Sequence, residues 1–104
     1  MNKTLGLIGL SAKAGKIVFG TEACIEAMQN KKIKLLIVSI EASEKSKKNF
    51  KYYTEKYNIP IVFYETIENL SKSIGKKNKV VIGIKDQNLA NEIQKNINGG
   101  EFIG

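Results

Sequence analysis

The residues that invite chemistry lie in "GLIGLSAKAGKIVFG", Gly6 to Gly20. A Gly-Lys pair, Gly15-Lys16, sits there among glycines and small residues, as in a phosphate-binding loop. Such a loop needs a glycine five positions before its Gly-Lys glycine and a hydroxyl residue just after the lysine. Backbone amides then cradle the phosphate, and the hydroxyl holds magnesium. Leu10 stands where the first glycine is required, and Ile17 where the hydroxyl is. The order is also inverted, because a helical pattern precedes Gly15 and a β-branched run follows it. Of the carboxylates, Glu41 and Asp86 come nearest to ending an apolar strand as a magnesium ligand would. These mismatches exclude a nucleotide hydrolase of this kind.

Other reactive groups are scarce. The chain has no histidine and one cysteine, Cys24, so the usual zinc sites and Ser-His or Cys-His nucleophiles are out. Cys24 lies between Ala23 and Ile25 on the apolar side of a helical pattern, which suits a small core residue. Glu22 and Glu26 are one helical turn apart. A solvated helix face accounts for them, and Glu22 also suits the positive end of a helix. The expectation is a binding protein with no catalytic residue, no metal and no cofactor.

Charge narrows the partner. Seventeen lysines face ten acidic residues for a net charge of +7, and there is no arginine. A basic small domain points to nucleic acid. Lysine is a flexible point charge that suits phosphates, whereas arginine supplies the rigid bidentate contact to guanine. Recognition must then use backbone groups, Thr, Asn, Ser or Glu. The same lysines also fit a merely solvated surface, and charge alone leaves both readings open. A lone cysteine rules out a disulfide within the chain and fits a reducing compartment. Lys13 and Lys16 interrupt the apolar stretch near the start, which argues against a signal peptide. No run approaches the roughly 18 apolar residues of a membrane span. A cytoplasmic monomer without a membrane partner is expected.

The elements that must position these residues follow from periodicity. Residues 4–14 place Leu5, Ile8 and Ala12 on one helical face, with Leu7 and Leu10 beside it, Thr4 as cap and Gly15 as stop. Gly6 and Gly9 weaken this helix. "KIVFG" reads as a short strand, and Gly20-Thr21 open a helix that turns Cys24, Ile25 and Met28 inward. Lys34–Ile40 is almost continuously apolar, as a strand covered on both faces should be. Ser43 caps a helix with Phe50, Tyr53 and Tyr57 on one side and lysines on the other. Pro60 stops it, and Ile61–Tyr64 is a third strand. A short helix with Ile67, Leu70 and Ile74 inward precedes a fourth strand, Lys79–Ile84. Asp86 caps a last helix that buries Leu89, Ala90, Ile93 and Ile97. Alternating helices and strands predict a three-layer α/β/α sandwich around a four-stranded, mostly parallel or mixed sheet. A single domain over 1–98 and a loose tail over 99–104 complete the expectation.

Several segments follow one another with a familiar spacing: "GLSAKAGKIVFGTEACIEAM", "KIKLLIVSIEASEKSKKNF" and "YNIPIVFYETIENLSKSIGKKNKVVIGIKD". Together they resemble the family of archaeal ribosomal protein seven-Ae and eukaryotic ribosomal protein thirty-e, and most of all its small bacterial YlxQ-type members. The resemblance runs from about Leu5 to Ile97. It implies an α/β/α sandwich that binds kink-turn RNA, a sharply bent duplex with a short bulge beside tandem sheared G·A pairs. It implies structured RNA as partner, ribosomal RNA included, and an association with the ribosome or translation. Three loops would form the site: Gly20, Thr21 and Glu22; then Ile40, Glu41 and Ala42; then Gly75, Lys76, Lys77 and Asn78. Lys13, Lys16, Lys76, Lys77 and Lys79 would neutralise crowded phosphates. The chain departs from the family in carrying Glu22, Ala23 and Glu26 where kink-turn binders commonly have polar and basic residues. Its third loop reads Lys-Lys-Asn where the family is often apolar. An adaptor that binds protein on the same fold is the alternative reading.

Overall fold

A computed structural model describes residues 2–100. The elements run α1 (Lys3–Lys13), β1 (Ile17–Phe19), α2 (Thr21–Gln29), β2 (Leu35–Val38), α3 (Glu44–Lys56), β3 (Ile61–Phe63), α4 (Ile67–Ser73), β4 (Val81–Ile84) and α5 (Gln87–Lys95). A π-helical turn, Asn96–Gly100, extends α5. It takes in the first two residues of the expected tail, and 101–104 lie outside the described residues.

The sheet has the order β1-β4-β2-β3. Strand β4 lies antiparallel to both β1 and β2, and only β2 and β3 pair in parallel. Of the two sheet types expected, the mixed one is found. Strands β1, β2 and β3 share a direction, and β4 is inserted between them running the other way. The reversal has a local cause. Gly75 (φ 70°) and Asn78 (φ 55°) adopt left-handed conformations just after α4. The Ser71 hydroxyl accepts from the Lys79 amide at 2.8 Å, and the Ser71 carbonyl accepts from the Lys76 amide at 2.8 Å. The chain is thus folded back along α4, and β4 starts at the end of the sheet where β3 stopped.

The strand pleat divides the core into two layers. Leu35, Ile37, Ile82 and Ile84 pack with Leu5, Ile8, Leu70 and Ile93 under α1, α4 and α5. Leu36, Val38 and Val81 pack with Cys24, Met28 and Phe50 under α2 and α3. Every residue of β2 and β4 is buried, as the continuous apolar run of β2 requires. At 25 cal/mol per Å², each fully buried Leu, Ile or Phe contributes roughly 1.5–3 kcal/mol. Helix α1 differs in detail from its expected form. Asn2, not Thr4, caps it, its Oδ1 accepting from the Leu5 amide at 2.7 Å, while Thr4 is buried inside the first turn. Leu10 points outward and is 55% exposed. Gly9 has a packing reason: a Cβ there would lie 2.8 Å from the Ser73 carbonyl oxygen. The glycine lets α1 approach the backbone at the end of α4.

Candidate nucleic-acid interface

The direction of β4 decides what can form a site. The chain leaves β1, β2 and β3, and enters β4, at one end of the sheet, called the rim below. There the Gly20 amide donates to the Val81 carbonyl (3.2 Å) and the Ser39 amide to the Val80 carbonyl (2.9 Å). The segments around Gly20, Ile40–Ala42 and Gly75–Lys79 are therefore neighbours.

The first segment is the start of α2. Gly20 takes φ 90°, ψ 149°, a conformation that side chains disfavour, and it offers no capping side chain. The other four α-helices each have one: Asn2, Ser43, Thr66 and Asp86 accept an amide of their first turn. Among the described helices α2 alone presents its positive end without a side-chain cap. Thr21 and Glu22 are exposed there. Such amides are ready donors to a phosphate or base-edge oxygen.

The second segment is built around Ser39, which is fully buried. Its hydroxyl donates to the Glu65 carbonyl at 2.8 Å and accepts from the Glu41 amide at 3.0 Å. The Ile40 amide also donates to the Glu65 carbonyl, at 3.0 Å. This network holds Ile40 outward, 53% exposed. Glu41 has structural work at the rim, since its Oε1 accepts from the Ile67 amide at the start of α4 (2.9 Å).

The third segment is Gly75 to Lys79. Its clamp on Ser71 fixes the backbone, and two of its lysines lean across to β1. Lys76 Nζ lies 5.2 Å and Lys79 Nζ 5.3 Å from the centroid of the Phe19 ring. Cation–π attraction holds both ammonium groups beside Gly20. Lys77 and Asn78 are exposed. A cavity of about 590 Å³ opens between this segment and α4, lined by Ile67, Glu68, Ser71, Lys72, Lys76 and Lys77 among others.

The structure thus brings together Gly20, Thr21, Glu22, Glu41, Gly75, Lys76, Lys77, Asn78 and Lys79. It sets Lys16 apart from them, and Lys13 closes α1 three residues earlier. The Lys16 carbonyl accepts from the Lys85 amide (2.8 Å), beyond the far end of β4. Lys16 and Gly20 are four extended residue steps apart, about 13 Å. Sequence reasoning misses Phe19, Ser39, Glu65 and Ser71. Phe19 reads as a core strand residue, and isolated serines and glutamates carry no signal until the chain folds. Cys24 is fully buried, its Sγ 3.6 Å from the Val18 carbonyl, and burial pushes its thiol from 9.0 up to about 12. The thiol is protonated at neutral pH and inert. Among the described residues no group of three His, Cys, Asp or Glu could hold a metal ion, and no helix is long and apolar enough to cross a membrane.

A mixed sheet between two helical layers, with an uncapped helix and lysine-bearing loops gathered at one end, defines the class: a small α/β/α domain with a polar loop rim. Within that class the chain belongs to the Ribosomal protein L7Ae/L30e/S12e/Gadd45 family, which matches it over residues 2–94. It is 35% identical over 97 residues to a protein of Enterococcus faecium named RNA-binding protein YlxQ, covering 93% of each chain. A Bacillus subtilis strain 168 protein of the same name is 32% identical over 87 residues, covering 84% of this chain and 87% of that one. Among solved structures, a Bacillus halodurans protein of unknown function superposes with a TM-score of 0.88 at 33% identity, over 90% of this chain and 95% of that one. The Giardia lamblia 15.5kD RNA binding protein shares the fold, with a TM-score of 0.78 at 18% identity, over 96% of this chain and 86% of that one.

Proposed function

We propose that the chain is a non-catalytic RNA-binding protein whose rim takes a kink-turn-like bent duplex, as a monomer associated with ribosomal RNA or translation in the cytoplasm. The observation that carries this reading is the meeting of the uncapped start of α2 with Lys76 and Lys79 over Phe19. The names of the relatives support it. In this arrangement the amides of Thr21, Glu22 and Ala23 donate to RNA oxygens, and Gly20 lets the RNA approach the backbone. The Glu22 carboxylate accepts from the amino groups that sheared G·A pairs present. Ile40 offers an apolar contact to an unstacked bulge base. Lys76, Lys77 and Lys79 neutralise phosphates that the bend crowds together.

The test is a titration of a consensus kink-turn RNA at two salt concentrations, with the same duplex lacking the bulge as control. Selective binding that Thr21→Asp abolishes is expected. Equal, salt-sensitive binding to both RNAs reduces the interaction to lysine electrostatics. A protein–protein adaptor is the second reading, favoured by exposed Ile40 next to Glu41 in the chain and by exposed Glu22 on the same rim. No binding to either RNA would select it.

A further inference from the structure

The rim does not account for the excess of lysine. Lys72, Lys76, Lys77 and Lys79 are matched in number there by Glu22, Glu41, Glu65 and Glu68, so among the described residues the excess of lysine lies on other surfaces. Some of those lysines have a structural reason. Lys31, Lys32 and Lys34 follow the carboxyl end of α2, where the helix dipole favours cations. The outer face of α3 has no such reason. Lys45 and Lys48 occupy its first turns, at the positive end of the dipole, where a lysine is disfavoured.

On that face Lys45, Lys48, Asn49, Tyr52 and Lys56 are all exposed. At 100° per residue they fall within a sector of about 100°. Glu44 and Glu55 lie just outside its edge, and Glu44 is already engaged by Lys47 at 3.4 Å, the one ion pair among the described residues. Lys45, Lys48 and Lys56 therefore make no ion pair among them, although Lys56 Nζ also lies 5.4 Å from the Tyr57 ring centroid. Tyr52 is 57% exposed, with its ring edge-on to Tyr53 at 5.1 Å between centroids. It borders an open cavity of about 450 Å³ shared with Lys45, Ser46, Lys48 and Asn49. Lys56 Nζ lies 5.9 Å from its ring centroid. The stripe begins two residues after Ser43, beside the rim segment Ile40–Ala42.

An exposed aromatic ring between lysines fits a strand whose bases are unstacked, because a duplex keeps its base faces to itself. We propose that the outer face of α3 is a second contact surface, for single-stranded RNA flanking the structured element held at the rim. Tyr52 stacks a base, Asn49 bonds its edge, and Lys45, Lys48 and Lys56 neutralise the phosphates. The proposal rests on the RNA reading of the rim for what lies beside it.

The experiment is an NMR titration of the ¹⁵N-labelled full chain with oligouridine, alongside a kink-turn RNA with and without a single-stranded flank. Oligouridine is expected to shift amides along 45–56, also in Thr21→Asp. Tyr52→Ala weakens oligouridine binding about tenfold and Tyr52→Phe preserves it, because the ring and not the hydroxyl stacks. Lys45→Ala with Lys48→Ala lowers the slope of log K against log salt by about 1.4, at 0.7 per single-strand phosphate contact. Shifts confined to the rim, or an unchanged Tyr52→Ala, overturn the α3 surface and leave the rim reading intact. Shifts along α3 without selective kink-turn binding do the reverse. Polyglutamate that shifts the same amides as strongly as oligouridine also overturns the proposal, in favour of an acidic protein partner.

Discussion

Replacing Lys76 and Lys79 by alanine tests whether position, rather than total charge, makes the rim a binding site. Both ammonium groups are held within 5.3 Å of the Phe19 centroid, next to Gly20. Without these two lysines to neutralise phosphates of a bent duplex, the slope of log K against log salt falls by about 1.8, at 0.9 per phosphate. The fair comparison is Lys13→Ala with Lys16→Ala, which removes the same charge. Lys16 lies about 13 Å from Gly20 along β1, beyond the Debye length of about 8 Å at physiological salt. That pair should leave the slope nearly unchanged. The assay is fluorescence anisotropy of a labelled kink-turn RNA over a range of salt. Thermal unfolding of both variants is the control, because each exposed cation–π interaction with Phe19 stabilises the fold by about 0.5–1 kcal/mol. Equal slopes in the two double variants would refute the reasoning and leave a uniformly basic surface as the explanation.

Glycine placement in α1 gives an internally controlled stability test. Gly6→Ala meets no atom within 4 Å and should stabilise by about 0.5–1 kcal/mol through helix propensity. Gly9→Ala meets the Ser73 carbonyl oxygen at 2.8 Å and should destabilise by about 1–3 kcal/mol despite the same propensity gain, both read by denaturant unfolding. Ser71→Ala strips the Lys79 amide of its acceptor at 2.8 Å, which should cost about 1–3 kcal/mol and speed hydrogen exchange at Lys79. Cys24 makes stability pH-dependent. Its folded pKa, raised from 9.0 to about 12, means that the unfolded thiol loses its proton first as pH rises. Its contribution is fully present below pH 9 and falls by up to roughly 1.4 kcal/mol per unit above it. Subtracting the profile of Cys24→Ala isolates this decline from every other effect of alkaline pH.

Much of the fold was legible in the residues. Ser43 and Asp86 announced their helices, and both caps accept the expected amide, from Ser46 and Leu89. The apolar run of β2 announced a strand covered on both faces. Caps and periodicity are readable because they involve residues three or four apart, which the local backbone alone brings together. Thr4 and Leu10 show the limit of this reasoning. A hydroxyl two residues further along than Asn2 looks like an equally good cap, and an apolar residue beside a stripe looks buried, until the neighbouring elements are placed.

The candidate site divides along the same line. Sequence alone determined that lysine is the only strong base available, that no histidine can serve as acid, base or metal ligand, and that Gly20 has no side chain with which to cap a helix. These are properties of residue type and order, and no fold could change them. The tertiary structure decided which lysines belong together. Lys16 is four residues from Gly20 and is carried away by an extended strand. Lys76 is far along the chain and is brought back, because Gly75 and Asn78 reverse the backbone and Ser71 clamps it, so that β4 enters the sheet from the rim. Alternation of helices and strands sets the layers but not the direction of a strand. That direction rests on left-handed residues and one buried hydroxyl, whose partners meet only when the chain is folded.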